Sequence, residues 1–242
     1  SLLPKPPQVI VMLAAFDDVE AAGRAVGSII GQGIIPAGME MMDKLAVQAA
    51  EAFAHAGYPL TAAAILLIEL DGSNLEVDAL SDRVTQILQD HSAIHVDIAT
   101  DTASQQRLWK GRKSAFPAVG RLSPDYYCMD GTIPRHQLPI VLKRMAEASG
   151  RYGLGVANVF HAGDGNLHPL IMYDANRKGD LEKAEAIGAK ILELCVAVGG
   201  TITGEHGVGI EKLNQMCVQF NQHELEQFMA IKAAFDETSL LN

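Results

Sequence analysis

The sequence predicts an α+β fold, an antiparallel sheet covered by helices and built from ferredoxin-like units. Three observations predict it. Short apolar runs alternate with helical patterns along the chain. From Tyr126 onward the order is strand, helix, hairpin, helix and a short strand around Thr201, which is the ferredoxin-like unit. Asp164-Gly165 is a strong two-residue hairpin signal, so at least one antiparallel pair is expected.

Taken in order, Gln8 to Ala15 is apolar and reads as a buried strand, and Asp17-Asp18 start a helix with carboxylates where its dipole favours them. Ile34 to Met41 reads as a second strand, and Asp43 to His55 as an Ala-rich helix ending at Gly57. Ala62 to Glu69, rich in Ile and Leu, is a strand, followed by a helix through Val77 to Leu88 and a short strand at Ala93 to Ile98. A helix from Thr102 to about Phe116 carries Arg112 and stops near Pro117. The second half repeats this grammar: strand Tyr126 to Ile133, helix Gln137 to Ser149, hairpin Gly155 to Tyr173, helix Asp180 to Val198. Residues 8–100 fit the ferredoxin-like unit less cleanly than 101–220, and 221–242 read as a C-terminal helical segment. Alternation in the hairpin puts Ala157, Val159, His161, His168, Leu170 and Met172 on one face. Val156, Phe160, Ile171 and Tyr173 take the other.

Composition excludes more than it identifies. With 19 Lys and Arg against 29 Asp and Glu, the net charge is −10, which argues against nucleic-acid binding. No apolar run approaches the roughly 20 residues a bilayer-spanning helix needs. Cys128, Cys195 and Cys217 are odd in number and lack CxxC spacing, so reduced packing thiols are expected, Cys128 included.

Two short segments carry the chemistry. In His161-Ala-Gly-Asp-Gly-Asn-Leu-His168, a type I′ turn at Asp164-Gly165 pairs His161 with His168, their Cβ atoms roughly 5 Å apart on one face. That spacing suits two ligands converging on one divalent ion, Zn, Mn, Fe or Co. For two isolated histidines, a hydrogen-bonded pair capping a hairpin is the simpler reading. The segment Gly199-Gly-Thr-Ile-Thr-Gly-Glu-His-Gly-Val-Gly209 alters the balance by setting a carboxylate beside an imidazole among glycines. In an extended backbone Glu205 and His206 point to opposite sides, so Glu205 can be a third metal ligand and His206 a general base. Two histidines and a carboxylate leave a coordination position open, as catalytic sites do.

These two segments, together with Trp109-Lys-Gly-Arg-Lys-Ser-Ala-Phe-Pro-Ala-Val-Gly-Arg121, resemble the C-terminal part of FAD-linked 2-hydroxyacid oxidoreductases. The stretch Asp125-Tyr-Tyr-Cys-Met-Asp-Gly-Thr-Ile-Pro-Arg135 is most similar to the glycolate oxidase D subunits, whose relatives include D-lactate and D-2-hydroxyglutarate dehydrogenases. The resemblance spans nearly all of 1–242 and implies a substrate and cap region whose N-terminal FAD-binding domain lies outside this chain. It implies FAD as cofactor, a small 2-hydroxy acid as substrate, and Arg112 as the fork that holds its carboxylate. Phe116 and Cys128, where relatives acting on 2-hydroxyglutarate carry polar side chains, favour a short substrate such as glycolate or lactate. The implied mechanism has the ion at His161, His168 and Glu205 bind the substrate while His206 removes its hydroxyl proton and the C2 hydride passes to the flavin. Implied partners are the chain's own FAD-binding domain and the FAD-related and iron–sulfur subunits of a glycolate oxidase complex. The implied location is cytoplasmic, peripheral to the inner membrane through those subunits.

Other residues have simpler readings. Asn166 is a candidate contact to flavin or substrate, and Asp164 a candidate partner for a ligand histidine, although turn geometry accounts for both. Glu40 and Asp43 read as solvated or helix-capping carboxylates, Met39, Met41 and Met42 as core filler. His55, His91, His95, His136 and His223 lack companions at ligand spacing. Two readings from other classes stay open: a self-contained metal-dependent hydrolase or lyase, and a subunit-docking module.

Overall fold

A computed structural model describes residues 5–241. Its strands are β1 (Gln8–Phe16), β2 (Gly38–Asp43), β3 (Ala64–Gly72), β4 (His95–Ala99), β5 (Asp125–Cys128), β6 (Val156–Phe160) and β7 (Pro169–Tyr173). The helices are α1 (Val19–Gly31), α2 (Lys44–Ala54), α3 (Asn74–Asp90), α4 (Thr102–Lys113), α5 (Ala115–Val119), α6 (Leu138–Tyr152), α7 (Asp180–Ala197), α8 (Met216–Gln219) and α9 (Gln222–Phe235). The strands form one sheet in the order β4-β1-β3-β2-β6-β7-β5, every pairing antiparallel.

The first four strands follow the ferredoxin-like order, with α2 inserted between β2 and β3. The second unit completes itself through an antiparallel bridge from Thr132 to Thr201, reinforced by their hydroxyls 2.6 Å apart. β1 shows why its sequence is apolar throughout. Ile10, Met12, Ala14 and Phe16 enter one core while Val11, Leu13 and Ala15 enter another, so both faces are dry. Helices α1, α3, α6 and α7 cover the first face. The second is covered by α2, α4 and α5. Local chemistry marks the helix starts: Asp18 accepts from the backbone of Glu20 and Ala21, and Ser73 and Glu76 form a capping box.

Three expectations need correction. The hairpin closes on His161 and Asn166, not through a two-residue turn: Asp164, Gly165 and Asn166 all donate to the His161 carbonyl, and the loop has four residues. Gly165 takes φ +76° while Asp164 keeps a negative φ, so the two positive values of a type I′ turn are not present. The register moves by two residues relative to the expected one, and because side chains alternate with period two, His161 and His168 still share a face. The strand expected over Tyr126 to Ile133 pairs with β7 only to Cys128, because Pro169 has no N–H to return to Met129. Pairing resumes at Thr132 with Asn166. The helix expected to reach Phe116 ends at Lys113, since Pro117 cannot donate to that carbonyl; α5 then starts anew with Pro117 in its first turn.

The two units meet at β2 and β6, where the ladder holds Met41↔Phe160 and Met42↔Val159. Asp43 extends it with its side chain. Its Oδ2 accepts from Asn158 N (2.9 Å) and Nδ2 (2.7 Å), while Oδ1 caps α2 at Ala46 N (3.0 Å). Burial pushes its carboxyl up to about 6 in spite of these donors. Asp43→Ala removes a cap worth about 0.5–2 kcal/mol and strands the Asn158 donors at about 1–3 kcal/mol. A loss of about 2–4 kcal/mol in urea unfolding is expected; a loss within 0.5 kcal/mol, the usual surface range, contradicts the clamp.

Candidate metal and substrate site

The site lies at the β2, β6 and β7 ends on the face covered by α4 and α5. His161 follows β6 and His168 precedes β7, with ring centroids 5.1 Å apart. The β2–β6 register, continued by one residue, sets Glu40 opposite His161. Glu40 Oε1 lies 2.8 Å from His161 Nδ1, and Oε2 accepts from Arg112 Nε (2.9 Å) and Nη2 (2.7 Å). Arg112, in the last turn of α4, is buried with only 8% exposure. Phe116 stands edge-on to His168 at 6.0 Å. Burial pushes the Cys128 thiol up to about 12, consistent with packing against the same cluster as Phe116.

Asp130 builds the remaining wall. Wholly buried, it accepts from the backbone N–H of Gly204, Glu205 and His206, from the Thr203 hydroxyl and from Lys212 Nζ at 3.2 Å. Burial alone would raise its carboxyl, but these donors outweigh it and hold the group far below the usual carboxylate range. Gly204 is required by close approach, since a Cβ there would lie 2.5 Å from Asn166 Oδ1. The anchored loop delivers Glu205 and His206. Glu205 Oε1 lies 3.0 Å from His168 Nε2, 3.7 Å from His161 Nε2 and 3.6 Å from His206 Nε2. The His206 ring stacks on His168 at 5.0 Å with an 11° tilt.

The residues expected at the site therefore converge: His161, His168, Glu205 and His206 around one carboxylate oxygen, with Arg112 one side chain away through Glu40. Asn166 is buried beneath them and its Oδ1 lacks a hydrogen-bond partner. Glu40, Asp130 and Lys212 were not expected here. In sequence Glu40 reads as a solvated or capping carboxylate; only the identity of the neighbouring strand distinguishes it. No spacing in the sequence pairs Asp130 with a loop more than 70 residues away.

The donor set fits a divalent ion. Both ring nitrogens of His168 are buried without a well-directed hydrogen bond, and Nε2 faces Glu205 Oε1 at 3.0 Å, the arrangement of two ligand atoms turned toward a shared ion. Ligand separations of 3.0 and 3.7 Å bracket the roughly 3.4 Å of a tetrahedral ion about 2.0–2.1 Å from each nitrogen. Atoms of Asp130, His168, Glu205 and His206 also lie within 4.8 Å of one another, a set without His161. Asp130 suits that set poorly because its oxygens already accept from the loop and Lys212. The two histidines differ in basicity: the Glu40 hydrogen bond raises His161 against the effect of burial, whereas burial, aided by His161, pushes His168 down to about 4.

Asp130→Asn leaves Lys212 without its countercharge and turns an N–H toward the loop donors. Breaking a buried pair in this way costs about 3–5 kcal/mol. Urea unfolding should show that loss, together with faster proteolysis near residue 205; unchanged stability excludes the anchoring role.

Among the described residues no helix is long and apolar enough to cross a membrane. The glycolate oxidase subunit GlcD of Escherichia coli (strain K12) is 62% identical over 241 residues, covering 100% of this chain and 48% of that protein. The glycolate oxidase subunit GlcD of Bacillus subtilis (strain 168) is 35% identical over 241 residues, again 100% of this chain and 51% of the relative. The chain thus spans about half the length of these relatives. In fold it aligns with 4-ethylphenol oxidase from Gulosibacter chungangensis at a TM-score of 0.71 and 12% identity, covering 100% of this chain and 54% of that one. The family of FAD linked oxidases, C-terminal domain, matches residues 5–242, and since the match spans every element described above, the chain belongs to that family.

Proposed function

We propose that this chain is the substrate- and metal-binding half of a flavin-dependent oxidoreductase that converts a small D-2-hydroxy acid, glycolate in the first place, to the 2-oxo acid. The observation that carries the reading is the buried His168, without a well-directed hydrogen bond, converging with His161 on Glu205 Oε1 next to a buried arginine. The 62% identical relative is a glycolate oxidase subunit, which favours glycolate over D-lactate. His161, His168 and Glu205 would hold the ion, of the Zn, Mn, Fe or Co type. When bound, such an ion would lower the hydroxyl pKa and FAD would take up the C2 hydrogen with its electron pair as hydride, chemistry no side chain here supplies.

The chain's own residues orient the substrate and move its proton. Arg112 offers its free N–H groups to the substrate carboxylate. His206, half exposed at the mouth and stacked on His168, accepts the hydroxyl proton at Nε2. Phe116 closes the apolar side against a longer substrate. Asn166 is proposed to face the flavin. In this reading the partners are the protein's own FAD-binding domain, an FAD-related subunit and an iron–sulfur subunit, and the complex lies on the cytoplasmic side of the inner membrane; co-purification with those subunits tests that part.

Elemental mass spectrometry of the purified chain should find about one equivalent of metal, lost in the His161→Ala, His168→Ala double variant. Equal metal in both overturns the ligand assignment. Affinity should depend on pH with a definite sign. A metal must displace the Nε2 proton of the His161 imidazolium, the charged form that Glu40 stabilises through Nδ1, so affinity rises about tenfold per pH unit up to the raised His161 pKa and levels off above it. His168, already neutral above about 4, adds no second proton. A slope of two protons between pH 5 and 7 contradicts this. In the full-length enzyme His206→Ala should lower kcat about 10²–10⁴-fold with KM little changed; near-normal turnover removes His206 as the base.

A further inference from the structure

We infer that Glu40 is a positioning residue that locks the substrate arginine and a metal-ligand histidine into one unit, fixing the carboxylate clamp at a set distance from the ion. The inference rests on the metal and substrate reading given above. Each Glu40 oxygen is committed to a different partner: Oε1 to His161 Nδ1 at 2.8 Å, Oε2 to Arg112 Nε and Nη2 at 2.9 and 2.7 Å. The Glu40 and Arg112 side chains are only 13% and 9% exposed, so solvent does not loosen the contact.

Two consequences follow from donor chemistry. An ionised carboxylate only accepts, so Nδ1 of His161 carries the hydrogen and Nε2 presents its lone pair toward Glu205 Oε1 at 3.7 Å. Glu40 thereby selects the tautomer that can ligate, the task usually given to a carboxylate behind a metal-bound histidine. A guanidinium has five N–H groups. Glu40 engages the Nε edge, which leaves the Nη1 and Nη2 end as the fork for an incoming carboxylate.

The charge argument runs the other way and makes the inference testable. Glu40 compensates Arg112, so its presence weakens the bare attraction of the site for an anion. Its contribution is orientation, which acts on turnover more than on binding. Buried ion pairs of this kind add little net stability compared with apolar packing, so stability alone does not account for it.

The test uses the full-length flavoenzyme with Glu40→Gln and Glu40→Ala, measuring Mn²⁺ affinity and glycolate kinetics at saturating Mn²⁺. In Glu40→Gln the amide N–H₂ opposes either Arg112 or His161, so one link breaks at nearly constant shape. Metal affinity should fall about 10–100-fold, kcat should fall by a similar factor at full metal occupancy, and KM should stay within about threefold. In an Arg112→Ala background the kcat effect of Glu40→Gln should shrink while its effect on metal affinity persists through His161. A variant with unaltered metal affinity and kcat overturns the inference, as does a proportional loss of active enzyme with kcat per folded molecule unchanged. Should Glu40→Ala not fold, the near-isosteric Glu40→Gln decides. Failure of the broader reading looks different: the wild-type enzyme would bind no Mn²⁺, or would keep it when His161 and His168 are both replaced.

Discussion

The antiparallel register between β2 and β6 is the constraint on which the rest of the molecule depends. Two ladder pairs join two ferredoxin-like units into one seven-stranded sheet. The same register sets Asp43 beside Asn158 at one end, where the carboxylate clamps the strands and starts α2. At the other end it sets Glu40 beside His161, where the carboxylate becomes part of the site. A slip of one residue would turn every side chain of β6 to the opposite face and remove His161 from Glu40 altogether. Structural and chemical requirements therefore meet on one short seam.

Charge is handled differently at each point of the site. Arg112 is paired with Glu40 and Lys212 with Asp130, and all four side chains are nearly buried. Those pairs act as scaffold, since buried ions are tolerated only when partnered and hydrogen-bonded. Glu205 is left half exposed among three imidazoles, the carboxylate best able to take a new partner. The loop bearing it is positioned by backbone N–H groups converging on Asp130, so precision here comes from main chain rather than from side-chain packing.

How much of this was legible in sequence depends on range. Apolar runs, capping residues and the Asp-Gly turn signal placed most elements, because those effects act within a few residues. The shared face of His161 and His168 was legible too, and it survived a wrong turn type because a two-residue shift preserves alternation. Pro169 and Pro117 set element boundaries for a common reason. Each ends a hydrogen-bond ladder by lacking an N–H, but which carbonyl goes unserved depends on the partner strand or on a helix boundary.

By itself the sequence determined the α+β architecture, the two histidine-bearing motifs and the resemblance that located Arg112, all of them local patterns or long specific strings. Only the tertiary structure decided that Glu40 lies against His161 and that Asp130 holds the loop bearing Glu205 and His206. Glu40 meets Arg112 across 72 residues and Asp130 meets His206 across 76. A carboxylate that caps a helix and one that orients a ligand look identical in sequence; what separates them is the strand laid alongside, and strand order is settled by burying the sheet's two faces together rather than by any neighbour along the chain.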